Sequence, residues 1–259
     1  NVTGAGATGT IIQGNIIGLD PDGASGSGNL DVGIALLSGA NSTTIGGTNT
    51  AARNIISNNY EGIEINSNNN TVQGNYIGTD ITGTLDRGNR SDDGVELQNS
   101  ATGNLIGGSN AGEGNLISGN AQNGILINNA DNNTVQGNLI GTDATGTLDL
   151  GNSGDGINVS SGAANNIIGG TTAGACNIIS GNESIGITFT DFSLASSASN
   201  DPDSDPNPNR PKILNNIMRN NGQNPAPMVR AALAAYMVTS GLDIVDTVGL
   251  DDGCILNPE

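Results

Sequence analysis

The stretch Thr71-Val-Gln-Gly-Asn-Tyr-Ile-Gly-Thr-Asp80 decides the fold of this chain, because the sequence repeats it. It returns almost unchanged as Thr134-Val-Gln-Gly-Asn-Leu-Ile-Gly-Thr-Asp143, and a diverged copy reads Thr10-Ile-Ile-Gln-Gly-Asn-Ile-Ile-Gly-Leu-Asp20. Aligning the chain on these copies gives three blocks of roughly sixty residues, and internal repetition of this kind is typical of solenoids, propellers and arrays.

Each block contains six short apolar segments, such as Gly62-Ile-Glu-Ile65 and Asn104-Leu-Ile-Gly107. Their β-branched or leucine side chains, followed by Gly, Asn or Ser, predict very short strands that end at tight corners. Strands of this length gain little from a hairpin with the next segment, but each can pair with the equivalent strand one turn later. The sequence therefore predicts an all-β fold, a parallel β-helix with three short strands per coil.

Coils are expected to start at a recurring glycine that precedes Ile or Val, which gives about six to seven coils including a partial first one. These glycines are Gly33, Gly62, Gly94, Gly124, Gly156 and Gly186. Alternate coils carry an Ile-Gly-Gly corner, and the others carry the Gln-Gly-Asn segment. Asparagines recur in two predicted columns, one with Asn54, Asn115 and Asn177 and one with Asn15, Asn75 and Asn138. Their amides are expected to hydrogen-bond to the asparagine of the adjacent coil and to tolerate left-handed corners.

An insertion follows the Gln-Gly-Asn segment in every second coil. Its copies are Thr79-Asp-Ile-Thr-Gly-Thr-Leu-Asp-Arg-Gly-Asn89 and the matching residues 142–152, with a diverged copy at 19–23. Successive copies are expected about 10 Å apart, as two coil rises require, and would form a ridge or one wall of a groove. Because loops on a rigid scaffold carry binding, we expect the insertion that begins at Asp80 to reach outward and to hold any surface function.

Composition divides the chain into three regions. Residues 1–192 are predicted to form the β-helix, and 193–224 an acidic, Pro/Asn-rich loop followed by one last coil strand near 212–218. Residues 225–259 are predicted to form a small helix-containing cap. The segment between Pro227 and Gly241 is the one stretch of the sequence with good helix propensity, and these two residues mark its start and its end. Such a cap would cover the open C-terminal strand edges.

The charge balance limits the partners of the protein. The formal net charge is -18 with seven Lys plus Arg, so the surface repels nucleic acids and anionic membranes. The sequence holds no run of about twenty apolar residues, and we therefore predict no membrane span. The chain begins at Asn1 inside a copy of the repeat, which favours the removal of a leader or of earlier repeats.

The chain has two cysteines, Cys176 and Cys254, and no histidine, which excludes a zinc site of the usual kind. Two alternatives remain open for the cysteines. Either they form one disulfide that ties the tail to the repeats, as suits an exported protein, or both are small buried residues.

One segment predicts a metal site. Asp201, Asp203, Asp205 and Asn207 place oxygen-bearing side chains at alternate positions, as a calcium loop requires. The segment lacks the glycine and the bidentate glutamate of a complete EF-hand loop, so a solvated acidic loop is the competing interpretation. Calcium is the one cofactor that the sequence suggests.

The phrases Gly-Ile-x-Ile, Asn-x-Val-x-Gly-Asn-x-Ile-Gly and Gly-Thr-Asp-x-Thr-Gly-Thr resemble the right-handed parallel β-helix repeat proteins of bacterial and archaeal cell surfaces and secretomes. The resemblance covers about residues 8–210, and the acidic segment 200–205 is similar to the loop that often follows the last coils in that group. It implies a right-handed β-helix and an exported protein. It implies no single activity, because the fold carries lyases, hydrolases, epimerases, adhesins and structural repeats.

Two functions from different classes follow. The favoured one is an extracellular or cell-surface structural or adhesive module, which self-associates through the solenoid ends or binds surface polysaccharide. The alternative is a polysaccharide-active enzyme that uses aspartates in a lateral groove. Its candidate residues lie before coil-start glycines or in the insertions: Asp92, Asp93, Asp155, Asp80, Asp86, Asp143 and Asp149. Because these residues recur with the repeat, and Asp93 and Asp155 should lie about 10 Å apart, we assign no catalytic residue.

Overall fold

The computed structural model describes residues 1–190, 212–214, 216–219 and 221. This part of the chain contains twenty short strands and two short 3-10 helices, Ala5–Ala7 and Ala173–Ala175. The strands form three sheets, and within each sheet every strand pairs in parallel with its equivalent one coil away. The predicted calcium loop and the predicted cap at 225–259 lie outside the described residues.

The first sheet carries the Thr-Val-Gln segment of the repeat and the strands that stack on it. Its strands are β1 (Ile11–Ile12), β4 (Thr44–Gly46), β7 (Thr71–Gln73), β10 (Leu105–Gly107), β13 (Thr134–Gln136), β16 (Ile167–Gly169) and β19 (Lys212–Leu214).

The second sheet follows one corner later. Its strands are β2 (Ile16–Ile17), β5 (Ile55–Ile56), β8 (Tyr76–Ile77), β11 (Leu116–Ile117), β14 (Leu139–Ile140), β17 (Ile178–Ser180) and β20 (Ile217–Arg219).

The third sheet contains the strands that follow the coil-start glycines. Its strands are β3 (Ile34–Leu36), β6 (Ile63–Ile65), β9 (Val95–Leu97), β12 (Ile125–Asn128), β15 (Ile157–Ser160) and β18 (Ile187–Phe189). Val2 adds an isolated parallel bridge to Leu36, so the first coil also reaches this sheet.

The chain is a right-handed parallel β-helix with three strands per coil, as the sequence predicts. Right-handed crossovers are the rule for parallel strands, because the strand twist lets the chain pack back onto the sheet only in that sense. Seven strands in each of the first two sheets correspond to seven coils, the upper end of the predicted range. Residues 212–218, for which the sequence predicts one strand, contain β19 and the start of β20.

The core is a stack of aliphatic side chains, because successive residues of a strand point to opposite sides of the sheet. Strand β6 shows the alternation: Ile63 and Ile65 are buried and Glu64 between them faces outward. Inward residues of the first sheet stack with no exposed surface at Ile45, Val72, Ile106, Val135 and Ile168. Among the described residues, the fully buried side chains of this stack include no aromatic, in line with a composition of two Phe, three Tyr and no Trp.

The coil-start glycines are required by close packing between coils. A Cβ atom on Gly62 would lie 2.2 Å from the carbonyl oxygen of Gly94 and 2.9 Å from Nδ2 of Asn89. Real Cβ atoms do not approach carbonyl oxygens so closely, so any larger residue would force neighbouring coils apart.

Asparagine side chains connect the coils at the corner between the first and second sheets. Each Nδ2 donates to the Oδ1 of the asparagine in the next coil, over distances of 2.8 to 3.0 Å. The members of this first ladder are Asn15, Asn54, Asn75, Asn115, Asn138, Asn177 and Asn216. The predicted hydrogen bonds between asparagines are confirmed. The prediction of two columns is wrong, since the two sets alternate within one ladder.

Two further ladders occupy the other corners. The second ladder runs between the second and third sheets through Asn29, Asn59, Asn89, Asn120, Asn152, Asn182 and Asn221. The third ladder runs between the third and first sheets through Asn70, Asn104, Asn133 and Asn166. Left-handed backbone occurs instead at glycines, serines and other asparagines, including Asn58, Asn69 and Asn99, so ladder formation and corner geometry are separate uses of asparagine.

Candidate functional site

The residues that precede the coil-start glycines form a column of their own, in which the aspartates are buried. The backbone N–H of Asn123 donates to Oδ1 of Asp93 at 2.7 Å, and the N–H of Asp155 donates to Oδ1 of Asn123 at 3.0 Å. The N–H of Ile185 likewise donates to Oδ1 of Asp155 at 2.9 Å. In this column, each short polar side chain accepts the N–H of the equivalent residue one coil later.

Glu61 breaks this pattern. Its side chain is one methylene longer than the aspartate or asparagine of the later coils, and the N–H of Asp93 donates to Oδ1 of Asp92 at 3.2 Å instead. The Glu61 side chain is 5% exposed, and its Oε1 is buried with no hydrogen-bond partner. A buried acceptor of this kind normally has a partner, so this position needs an explanation beyond the repeat.

Four further carboxyl groups surround Glu61 and interact with it electrostatically: Glu64, Asp92, Asp93 and Glu96. We call these five residues the acidic cluster. Glu64 and Glu96 occupy paired positions on the neighbouring strands β6 and β9, and both are half-buried. The cluster therefore spans two adjacent coils on the outer face of the third sheet.

The environment of the cluster raises the pKa values of Glu61, Asp92, Asp93 and Glu96. Burial, together with the charges on Glu96 and Asp92, raises the pKa of Glu61 to about 9. Burial and the charge on Asp93 raise the pKa of Glu96 to about 7. Burial also raises the pKa of Asp93 to about 6, despite its hydrogen bonds from Asn123. At neutral pH, Glu61 holds its proton while Asp93 is mostly ionised and Glu96 is about half ionised, so the cluster contains both a proton donor and proton acceptors.

The insertions are arranged differently from the prediction, which had Asp80 reaching outward. Asp80 is 2% exposed, and its Oδ1 accepts the backbone N–H groups of Thr84 at 3.0 Å and Leu85 at 2.9 Å. Asp143 is 1% exposed and accepts the corresponding N–H groups in its own loop. Burial acts to raise the Asp80 pKa, but these hydrogen bonds and one from Thr82 outweigh it and the pKa is lowered. Both aspartates hold the loop together from inside.

The insertions form one ridge, as predicted, although successive copies touch each other. The N–H of Ile81 donates to the carbonyl of Gly23 at 2.9 Å, and the N–H of Ala144 donates to the carbonyl of Gly83 at 2.9 Å. Arg87 adds a hydrogen bond from Nε to the carbonyl of Ala24. We call the surface formed by the insertions at 19–23, 79–89 and 142–152 the loop ridge.

The remaining catalytic candidates do not converge. Asp93 and Asp155 lie two coils apart with Asn123 between them, as the sequence predicts. Asp86 and Asp149 each accept the N–H of the glycine two residues later, at 2.8 Å and 3.0 Å, and so belong to loop turns. Of the aspartates singled out in the sequence, Asp92 and Asp93 are brought together with other carboxyl groups, in the acidic cluster.

No group of three or more acidic, histidine or cysteine side chains within the described residues is positioned to hold a metal ion. The predicted calcium ligands Asp201, Asp203, Asp205 and Asn207 all lie outside those residues. Cys176 is in a disulfide, which favours the first of the two alternatives for this residue. Cys254, the other cysteine of the chain, is outside the described part.

Fold and ladders together define the protein as a parallel β-helix repeat protein. No family model, curated protein or solved structure matches the chain. In the described part of the chain, no helix has both the length and the apolar character needed to cross a membrane.

Proposed function

We propose that this protein is an extracellular structural or adhesive module, a stiff solenoid that presents its loop ridge at a cell surface. The observation that carries the proposal is the continuity of the coil-to-coil contacts. The first ladder links all seven coils, and the insertions are joined by backbone hydrogen bonds. A scaffold connected in this way keeps its surface loops at fixed spacing, which suits display and adhesion.

The disulfide supports an extracellular location. Cys176 is disulfide-bonded, and disulfides persist in oxidising compartments such as the cell exterior. The formal net charge of -18 repels nucleic acids, which fits a function that does not involve them.

End-to-end assembly is part of this proposal. Strands β1 and β2 pair on one side, so each presents a row of backbone groups at the first coil. An open edge of this kind is a template for another parallel strand, supplied either by residues that precede Asn1 or by a second copy.

A second candidate function, a polysaccharide-active enzyme, is favoured by the acidic cluster. Glu61, with a pKa of about 9, holds a proton at neutral pH. The neighbouring Asp93 and Glu96 have lower pKa values, about 6 and about 7. Paired carboxyl groups with separated pKa values are the usual acid and base of glycoside hydrolysis.

Electron microscopy of the native material, combined with a polysaccharide panel, distinguishes the two. The structural proposal predicts ordered assemblies or surface layers, and no release of reducing sugar or unsaturated uronate. Discrete monomers that degrade a polysaccharide, with the activity abolished in Glu61→Gln, would overturn it in favour of the enzyme.

A further inference from the structure

The acidic cluster concentrates negative charge where the fold does not require it. The largest charge effects on Glu61 come from four carboxyl groups, and all of them raise its pKa. Glu64 and Glu96 face each other across neighbouring strands, an arrangement that destabilises a sheet. The equivalent positions on the flanking strands are Ala35 and Leu126, which carry no charge. The repulsion is thus confined to two coils.

The outer carboxylates of the cluster are already organised around nitrogen donors. Nε2 of Gln98 donates to Oε1 of Glu64 at 2.9 Å and to Oε2 of Glu96 at 3.0 Å. Nδ2 of Asn66 donates to the same oxygen of Glu64 at 2.7 Å. One nitrogen that carries two hydrogens therefore bridges both strands, which shows that the spacing of these carboxylates suits N–H donors.

Glu61 supplies an independent observation. Its Oε1 is buried without a hydrogen-bond partner, in a residue that is 5% exposed. Leaving such an atom unsatisfied is costly, and the cost is removed when a ligand brings a donor or a compensating charge.

We propose that the acidic cluster binds a primary ammonium group, which takes the place of the Gln98 amide between Glu64 and Glu96, beside Glu61. An ammonium carries three N–H donors and one positive charge, so it can satisfy carboxylates that belong to different strands. Within the described residues no three acidic side chains converge closely enough to hold a metal ion, so the ammonium would contact a pair of carboxylates, with the charge of Asp92 acting from further away. The ammonium belongs either to an amino sugar or to a lysine side chain, and the two sources share this chemistry.

Isothermal titration calorimetry at pH 7.5, in two buffers of different ionisation enthalpy, tests the proposal on the full chain. Butylammonium is the probe, and tetramethylammonium is its control, with the same charge and no N–H donor. We expect butylammonium to bind at least tenfold more tightly and to release protons, since its charge lowers the pKa of Glu61. Equal binding of the two cations would mean diffuse attraction by an acidic surface and would overturn the proposal.

Three variants locate the binding. Glu96→Gln should weaken butylammonium binding at least tenfold. Glu61→Gln should remove most of the proton release and leave the smaller part that comes from Glu96, whose pKa is about 7. Glu183→Gln is the matched control, because it removes one formal charge at an exposed residue outside the cluster and should change the affinity less than twofold. Equal weakening by Glu96→Gln and Glu183→Gln, in proteins with unchanged melting temperatures, would contradict the assignment.

Competition experiments identify the ligand. Glucosamine and Nα-acetyl-lysine methylamide represent the two sources, and the site takes the one that displaces butylammonium at the lower concentration. Failure of both to displace it would contradict the proposal. Displacement by calcium at equal concentration, with the same proton release, would make the cluster a metal site and would likewise overturn it. None of these readouts depends on whether the module is adhesive or enzymatic.

Discussion

The side-chain amide of Asn75 donates to the side-chain oxygen of Asn115 at 3.0 Å, although forty residues of sequence separate them. The same amide nitrogen also donates to the carbonyl of Ile45 in the preceding coil at 2.9 Å, and Oδ1 of Asn75 accepts from Asn54 at 2.9 Å. One buried side chain therefore connects three coils with its donors and acceptor in use. Repeated along the axis, this contact joins the coils independently of the strand pairing.

Replacing Asn75 with alanine should destabilise the protein by about 2–4 kcal/mol. The change removes the acceptor of the Asn54 backbone N–H and takes one of two partners from the Asn54 amide and from Oδ1 of Asn115. A buried polar group left unsatisfied costs about 1–3 kcal/mol. Urea unfolding measures the change. Gln122→Ala is the matched control, since it removes an exposed amide that also bonds to the adjacent coil, and should cost less than about 0.5 kcal/mol. Similar losses in the two variants would show that the ladder contributes little.

Gly62→Ala should cost about 2 kcal/mol or more, because its Cβ would lie 2.2 Å from the carbonyl oxygen of Gly94. Gly6→Ala is the control, since a Cβ there would have no neighbour within 4 Å. Thermal unfolding of both variants is the measurement, and Gly62→Ala should lower the melting temperature more than Gly6→Ala. A Gly62→Ala protein that melts together with wild type would contradict the close packing of the coil starts.

Stability should fall as the pH rises from about 5 to about 9. The folded-state pKa of Glu61, about 9, lies above its ordinary value of 4.5, so the folded protein binds a proton that the unfolded chain releases in that range. Glu96, with a pKa of about 7, acts in the same direction over the lower part of the range. Glu61→Gln, which imitates the protonated form, should exceed wild type by about 1–3 kcal/mol at pH 8 and match it near pH 5.

Urea unfolding of wild type and Glu61→Gln across this pH range checks the prediction, and Glu183→Gln serves as the control for net charge. A difference between Glu61→Gln and wild type that stays constant with pH would show that Glu61 does not titrate with a raised pKa.

Calcium should raise the melting temperature by several degrees if Asp201, Asp203, Asp205 and Asn207 bind it, because a ligand that binds the folded state stabilises it. Differential scanning calorimetry in calcium and in chelator measures the shift, and magnesium controls for general screening of the acidic surface. A melting temperature that is the same in calcium and chelator would remove the site. Replacing Asp203 and Asp205 together with asparagine should abolish any shift.

The regular part of the fold was predictable from the sequence because the same physical requirement recurs in each coil. Inward Ile and Val, coil-start glycines and corner asparagines repeat at matched positions, as shown by Ile63, Gly62 and Asn75. The merging of two asparagine columns into one ladder was missed because the sequence repeats every two coils. Self-alignment therefore compares a coil with the next but one, whereas hydrogen bonds join adjacent coils.

The candidate site was less predictable. Glu61 occupies a column of short polar residues, and only its extra methylene marks it as different. Glutamate, where the next three coils carry Asp93, Asn123 and Asp155, is the signal that would have revealed it. Asp80 was predicted to point outward because it begins a loop, but the loop's own N–H groups need an acceptor, and the nearest carboxylate supplies it. Local backbone requirements of this kind are not visible in periodicity.

Hydrogen exchange of the side-chain amides tests the central claim, that buried asparagine ladders join the coils, most directly. In deuterated buffer at neutral pH, followed by NMR, the Nδ2 protons of Asn75, Asn115 and Asn138 should exchange as slowly as the backbone amides of the strands beside them. The amide protons of Gln122 should exchange at the rate of a free side chain. Ladder protons that exchange as fast as those of Gln122 would show that the ladder is open to solvent and would contradict the account.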